Sequence, residues 1–176
     1  MHITRRKTRQ ITVGKLKIGG GAPVSVQSMC STDTRDTVAT IEQIHQLEAA
    51  GCEVIRVAVP DDEAAAALPK IKAAMTVPLI ADIHFDHRLA LKSAKIVDCV
   101  RINPGNIGAW WKVEEVIKAV NDHGIPIRVG VNGGSLERDL LDKYGWPSPE
   151  ALAESALNAV HALEDVGFTN MKVSLK

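Results

Sequence analysis

The sequence predicts an α/β protein, part of a (β/α)8 barrel that is preceded by an N-terminal β-hairpin. After the first twenty-odd residues, short apolar runs alternate with helical patterns at intervals of roughly 20–30 residues, which is typical of parallel βα units. Five such units and a sixth strand fit into the 176 residues, whereas a closed barrel needs about 250 residues. We therefore expect roughly the front two-thirds of a barrel, ending in or just after its sixth strand.

The first residues differ in pattern from the rest. Apolar residues alternate with polar ones around a predicted turn at residues 14–15, which indicates a hairpin, and Gly19, Gly20 and Gly21 predict a flexible joint behind it. We divide the chain into an N-terminal hairpin or arm, residues 1–22, and an incomplete barrel, residues 23–176.

The individual elements follow from periodicity and from their end signals. Apolar residues spaced three and four apart mark the helices, and Gly51 and Gly167 mark two helix ends. Pro69 lies late in the second helix and is expected to kink or divide it. A long polar loop is expected behind the fifth barrel strand. The predicted barrel strands are residues 24–29, 53–59, 77–84, 99–103, 125–131 and 171–175, and the predicted helices are residues 37–50, 62–75, 87–96, 110–123 and 149–166.

Composition narrows the class of protein. The 21 acidic residues match the 21 basic ones, and 45% of the residues are apolar, which indicates a soluble globular protein. A net charge of zero gives no general attraction to nucleic acid or to an anionic membrane. The basic start lacks the apolar segment of a secretory signal. It could instead be an arm that touches a phosphate backbone.

The cysteines indicate no metal site. Cys30, Cys52 and Cys99 form no Cys-x-x-Cys pair, so they specify neither a zinc site nor an iron–sulfur site. Cys30 follows the first barrel strand, where it could contact a ligand or simply pack. Free thiols favour a reducing, cytoplasmic location.

Three arginines occupy equivalent places in predicted strands. Arg56, Arg101 and Arg128 each lie between apolar residues of the opposite parity. Because side chains alternate between the two faces of a strand, each arginine faces away from its apolar neighbours. A cation inside a folded sheet is costly unless an anion meets it. The pattern therefore predicts an anionic ligand.

The carboxyl ends of barrel strands converge on the active site, and polar residues at these ends extend the candidate site. A layer of interior salt bridges is the alternative explanation for these polar residues. However, Asp82 is the one carboxylate in the set, and it cannot neutralise three guanidinium groups and two lysines. A phosphate or diphosphate can, through bidentate contacts, and Gly105, Gly133 and Gly134 would let backbone N–H groups approach it. The polar residues at the strand ends that form this candidate site are Gln27, Arg56, Asp82, His84, Arg101, Asn103, Arg128, Asn132, Lys172 and Lys176.

Asp82 and His84 share one face at the end of the third barrel strand. They could act as an acid–base pair or orient a substrate hydroxyl. A metal site is a further possibility for which no third ligand stands out.

Six runs, in order along nearly the whole chain, resemble the N-terminal barrel of the 4-hydroxy-3-methylbut-2-enyl diphosphate synthase family. They are residues 26–29, 54–57, 80–85, 101–106, 128–136 and 172–176. The resemblance implies an oxidoreductase of non-mevalonate isoprenoid biosynthesis. It reductively opens 2-C-methyl-D-erythritol 2,4-cyclodiphosphate and removes a hydroxyl, with two electrons from flavodoxin or ferredoxin.

The resemblance also implies roles for individual residues. Arg56, Arg101, Arg128 and Lys176 would bind the diphosphate. Asp82, Asn103 and Asn132 would line the same mouth and position substrate hydroxyls. His84 completes the candidate catalytic set and Gln27 the candidate substrate-binding set.

One departure from the family concerns the redox cofactor. Family members hold a 4Fe–4S cluster with three cysteines and a glutamate in a C-terminal domain, which faces the barrel of the other subunit in the homodimer. Those ligands are absent from the sequence, so this chain is expected to be inactive alone.

Two other functions remain open. The chain could be a non-catalytic, anion-binding remnant of such an enzyme. It could also be another phosphate-binding barrel, similar to pteroate synthases, which would bind a pterin and need no iron.

Overall fold

The computed structural model describes residues 6–176. An antiparallel hairpin precedes one parallel six-stranded sheet in which the strands are neighbours in chain order. The hairpin strands are β1 (Ile11–Val13) and β2 (Leu16–Ile18); the sheet strands are β3 (Gln27–Met29), β4 (Val54–Ala58), β5 (Leu79–Asp82), β6 (Cys99–Ile102), β7 (Ile127–Val131) and β8 (Met171–Leu175). The predicted class, a partial barrel behind a hairpin, is confirmed.

Helices connect the parallel strands, as the periodicity predicted. A 3-10 turn, Gly133–Ser135, follows β7. The helices are α1 (Thr37–Ala49), α2 (Asp62–Ala73), α3 (His87–Ala94), α4 (Pro104–Ile107), α5 (Trp110–Asp122), α6 (Arg138–Tyr144) and α7 (Pro149–Asp165). Part of the basic start that could form a phosphate-contacting arm, residues 1–5, lies outside the described residues.

The sheet is curled rather than flat. Four strand spacings of about 4.8 Å would separate β3 from β7 by about 19 Å in a flat sheet. Yet Arg128 Nη1 on β7 donates a hydrogen bond to Gln27 Oε1 on β3 at 2.6 Å. This contact requires the sheet to curl so that the inward faces of β3 and β7 approach each other across the interior, as in a barrel.

Apolar side chains bury both the outside and one end of the curled sheet. Outward residues such as Ile55, Val57 and Val129 are fully buried in the main core, against apolar faces of the helices. At the amino ends of the strands, Val13 of the hairpin forms a second cluster with Val54, Ile80 and Cys99. The hairpin thus covers that end and leaves the carboxyl end open.

The structure corrects several local expectations. The segment behind β7 is not one long polar loop, because Leu136, Leu140 and Ala151 form a small apolar cluster that holds α6 against α7. Pro69 does not divide α2, which is continuous because Leu68 and Ile71 are fully buried.

Strand ends are also shorter than predicted. The first barrel strand begins at Gln27 rather than at residue 24, and the third ends at Asp82 rather than at residue 84. Periodicity continues into these flanks, but sheet hydrogen bonding does not. The expected joint at Gly19–Gly21 is a turn in which the Ala22 N–H donates to Gly19 O at 3.0 Å.

The two outer strands of the parallel sheet each have one neighbour within residues 6–176. Near these edges large apolar side chains are exposed: Val24 and Val26 before β3, and Val173 and Leu175 on β8.

Within residues 6–176, every helix is too short or too polar to cross a lipid bilayer.

Candidate functional site

A cavity of about 440 Å³ opens at the carboxyl end of the parallel strands. The strands end there because polar residues replace the apolar alternation and loops lead into the helices. Seven of the ten polar residues expected at the strand ends line it: Arg56, Asp82, His84, Arg101, Arg128, Asn132 and Lys176. The structure therefore brings together side chains from β4, β5, β6, β7 and β8.

Asp82 is the electrostatic centre of the cavity. Its Oδ1 accepts a hydrogen bond from Arg101 Nη1 at 2.9 Å, and its Oδ2 lies 3.4 Å from Arg56 Nε and 3.6 Å from His84 Nε2. The residue is 3% exposed. A buried carboxylate is stable here because two guanidinium groups surround it.

Arg101 is nearly enclosed, with 7% of its surface exposed. Its Nη1 donates to Asp82, whereas its Nε is buried and has no hydrogen-bond partner among the described residues. A buried donor that lacks an acceptor is costly. This guanidinium therefore retains capacity for a further acceptor.

Arg56 is held more weakly. Its Nε and Nη2 point at the thioether of Met29, with distances of 3.2 and 3.1 Å to Sδ. A thioether is a poor acceptor. An anion that enters the cavity can replace it without a large loss.

Among residues 6–176, the hydrogen-bond partners of Arg128 are neutral. It donates to Gln27 Oε1 at 2.6 Å and to Ser174 Oγ at 3.2 Å. Burial, together with repulsion from Arg56 and Arg101, lowers the pKa of Arg128 below its usual range. The shift marks a site with an excess of positive charge.

Sheet register explains that excess. Asp82 pairs with Arg101, Arg101 with Arg128, and Arg128 with Lys172 on successive strands. One carboxylate is thus followed by three cations in a single row across the sheet. Burial, with repulsion from Arg128 and Arg56, also lowers the pKa of Lys172.

Besides Lys172, two candidate site residues, Gln27 and Asn103, do not line the cavity but contact residues beside it. Gln27 binds Arg128, as described above. Asn103 caps α4 by accepting from the Gly105 N–H at 3.1 Å, and it donates to Ser135 Oγ at 3.0 Å. Its amide joins the loop after β6 to the loop after β7.

The expected approach of backbone N–H groups to an anion is wrong for two of the three glycines. The Gly105 N–H donates to Asn103, and the Gly133 N–H donates to Lys176 O at 3.0 Å. A helix cap therefore occupies the first donor, and a backbone hydrogen bond to the residue after β8 occupies the second. Side-chain cations therefore dominate the site.

His84 is an exposed polar side chain at the cavity, with 46% of its surface accessible. Its ring meets Phe85 edge-on, with 6.2 Å between the centroids. It lies beside the buried carboxylate yet open to solvent. This position suits a group that exchanges protons with a bound molecule.

Sequence reasoning missed three lining residues: Met29, Ser174 and Leu175. Strand parity could have found two of them. Met29 follows Gln27 by two residues, and Ser174 lies between Lys172 and Lys176. Neither side chain points to a particular chemistry by itself, because a thioether or a single hydroxyl occurs in many structural roles.

Within residues 6–176 there is no group of three or more His, Cys, Asp or Glu side chains that could hold a metal ion. Cys30, Cys52 and Cys99 are all buried free thiols. Burial raises the pKa of Cys30 and of Cys99 to about 11. Cys30 is also not among the lining residues of the cavity.

Comparison with known sequences gives a consistent result. The model of the GcpE TIM-barrel domain family matches residues 8–176. A protein of Geobacter sulfurreducens named 4-hydroxy-3-methylbut-2-en-1-yl diphosphate synthase (flavodoxin) is 58% identical over 173 residues, which are 98% of this chain and 49% of that protein. A protein of the same name from Thermodesulfovibrio yellowstonii is 59% identical over 175 residues, 99% of this chain and 50% of that protein. The chain thus spans about half the length of these relatives.

Solved structures share the fold at low identity. A truncated 3-deoxy-D-arabino-heptulosonate 7-phosphate synthase from Thermotoga maritima has a TM-score of 0.63 at 16% identity, over 95% of this chain and 56% of that chain. A dihydropteroate synthase from Xanthomonas albilineans has a TM-score of 0.61 at 14% identity, over 94% and 64%. At such identities the likeness concerns the fold alone.

Proposed function

Because the chain belongs to the GcpE TIM-barrel domain family, we propose that it is the diphosphate-binding barrel of a 4-hydroxy-3-methylbut-2-en-1-yl diphosphate synthase. The proposed reaction opens 2-C-methyl-D-erythritol 2,4-cyclodiphosphate reductively and removes a hydroxyl, which yields 4-hydroxy-3-methylbut-2-enyl diphosphate. Flavodoxin or ferredoxin is the proposed electron donor. The names of the two relatives support this product and flavodoxin as the electron donor.

One observation carries the proposal. Arg56, Arg101, Arg128 and Lys176 line a single cavity in which Asp82 is the one carboxylate among the described lining residues. Guanidinium groups match phosphoryl oxygens in bidentate geometry and stay charged when buried. The cyclic diphosphate would supply the negative charge that this cavity lacks.

The other residues have positioning and proton-transfer roles in this proposal. Gln27 fixes Arg128, and Asn103 fixes the two loops beside the cavity through Ser135. Asn132 faces the cavity from the loop after β7 and would bind a substrate hydroxyl. His84, open to solvent and 3.6 Å from Asp82, would donate the proton with which the hydroxyl departs as water.

The redox group does not fit the residues described. A 4Fe–4S cluster supplies single electrons and needs four ligands, mostly thiolates. Among residues 6–176 the three cysteines are buried and no metal-binding group forms. We place the ligands in the portion of a longer protein that corresponds to the unmatched half of the relatives, and assign this chain no step through the cluster.

The same longer protein would complete the barrel. Within residues 6–176, β3 and β8 each have one unpaired edge with exposed apolar residues nearby, and unpaired edges favour pairing with further strands. Two more βα units would bring the six strands to the eight of a closed barrel. In a homodimer, the cluster-bearing domain of the second subunit would cover the open mouth.

Binding of the anion can be tested with inorganic pyrophosphate and calorimetry. The wild-type chain is expected to bind it, and Arg128→Ala and Arg56→Ala each to weaken binding at least about tenfold, since each removes a charged donor. Arg138→Ala, an exposed arginine at the start of α6, is the matched control and should bind as the wild type does. Equal affinity in all four proteins would refute the assignment.

The reaction can be tested with a chimera in which residues 1–176 replace the matching half of the Geobacter sulfurreducens relative. The chimera is expected to support growth of a bacterium depleted of its own synthase, and the Arg128→Ala chimera is not. If the wild-type chimera binds pyrophosphate but fails to convert the cyclic diphosphate, the barrel binds an anion but serves another reaction.

A further inference from the structure

Gly130 lies in the middle of β7, two residues beyond Arg128 and on the same inward face. Its backbone is ordinary, because it is not among the glycines with positive φ. It pairs in register with Ser174 of β8 like any strand residue. Glycine weakens a strand interior, so the backbone gives no reason for glycine here.

The reason lies on the neighbouring strand. A Cβ built on Gly130 would fall among the guanidinium atoms of Arg101, closest to Nε and only 2.5 Å from Nη2 and 2.7 Å from Cζ. Real Cβ atoms essentially never come within 3.0 Å of another heavy atom. The guanidinium therefore occupies the space that a side chain at position 130 would fill.

This placement lets Arg101 reach across two strands. The residue starts on β6, donates to Asp82 of β5 and rests against Gly130 of β7. Its burial at 7% exposure leaves one direction for displacement, into the cavity. A methyl group at position 130 would displace the guanidinium from this position and disturb its bond to Asp82.

We propose that Gly130 is a positioning residue of the anion site, since its missing side chain fixes the Arg101 guanidinium against β7 and within reach of Asp82. The consequence for anion binding rests on the proposed function; the placement of Arg101 does not. A displaced Arg101 would fill part of the cavity and could no longer keep both its place against β7 and its present bond to Asp82.

The placement can be tested without any ligand. In a chain labelled with 15N-arginine, the Arg101 Nε–H signal is identified by its loss in Arg101→Lys. Because this Nε is buried, its proton should exchange slowly with water in the wild type. Gly130→Ala should shift the signal and speed its exchange at least about tenfold, in line with the loss of a protecting contact. Gly134→Ala is the matched control, since nothing lies within 4 Å of its Cβ and its φ is not positive.

Pyrophosphate affinity supplies the second readout. Gly130→Ala should weaken binding about ten- to a hundredfold, the size expected for one charged hydrogen bond. In an Arg101→Ala background the same change should have no effect, because the space is empty there. Should Gly130→Ala fail to fold, the double variant should be as stable as Arg101→Ala alone; a double variant that is less stable than Arg101→Ala would overturn the proposal.

The outcomes separate the two claims. An unchanged Arg101 signal in Gly130→Ala, or an equal loss of affinity with and without Arg101, refutes the positioning role. A shifted signal in a chain that binds no pyrophosphate supports the positioning role and refutes the diphosphate assignment.

Discussion

Asp82 and Arg101 are register partners on adjacent strands, and a hydrogen bond of 2.9 Å joins their side chains at the carboxyl end of the half-barrel. Both are almost fully buried. In the cavity, Asp82 therefore competes with any incoming anion for the guanidinium groups. Stability and ligand affinity should respond to this residue in opposite directions.

Asp82→Asn is predicted to destabilise the fold and to tighten anion binding. Asparagine keeps the shape but leaves Arg101 and Arg56 without a counter-ion, which should lower the free energy of unfolding by about 3 kcal/mol. With the internal carboxylate gone, pyrophosphate affinity should rise about tenfold. Urea unfolding and calorimetry measure the two effects.

Asp62→Asn is the control for that substitution, since Asp62 forms an exposed ion pair with Lys92. It should change the free energy of unfolding by less than about 0.5 kcal/mol and leave binding unchanged. A drop in affinity for Asp82→Asn would instead mean that Asp82 contacts the ligand directly.

Gln27→Leu is predicted to loosen the outer strand β3. The Gln27–Arg128 bond crosses the interior and ties β3 to β7. Its loss leaves Nη1 of the partly buried Arg128 without this acceptor, so the free energy of unfolding should fall by about 1.5 kcal/mol. Hydrogen exchange of the β3 amides should accelerate more than that of β5.

Gln46→Leu, on an exposed part of α1, provides the comparison and should leave exchange in β3 unchanged. If amide hydrogen exchange in Gln27→Leu accelerated equally in all strands, the substitution would destabilise the whole fold rather than the attachment of β3 alone.

Much of the fold and the centre of the site could be predicted from strand alternation. Parity alone placed Arg56, Arg101 and Arg128 inward, because a two-residue period depends only on local sequence. The resemblance read from six runs is likewise confirmed by the family match to residues 8–176. The residue roles stay predictions.

What parity could not supply was the geometry of loops and of curling. Asn103 caps α4 instead of lining the cavity, and capping depends on a turn that periodicity does not reveal. The contact between Gln27 and Arg128 depends on the curl of the whole sheet. Gly130 looked like an ordinary strand glycine until the path of Arg101 was known.

Lys172→Met is predicted to stabilise the chain near neutral pH. Lys172 is partly buried, and burial together with nearby arginines lowers its pKa in the folded state. Between that lowered pKa and the ordinary value of about 10.4, the unfolded chain binds more protons, so stability should rise with pH. Methionine removes the penalty and should add about 1 kcal/mol at pH 7, the low end for replacing buried charge by apolar groups.

The pH dependence separates this cause from better packing. The advantage of Lys172→Met over the wild type should narrow as the pH approaches 10, because the folded-state lysine, whose pKa is lowered, then loses its proton and no longer carries a buried charge. Lys17→Met, at an exposed strand position, should show no such trend. A constant advantage from pH 7 to pH 10, measured by urea unfolding, would mean that Lys172 carries no electrostatic penalty and that the cationic row across the sheet is already balanced.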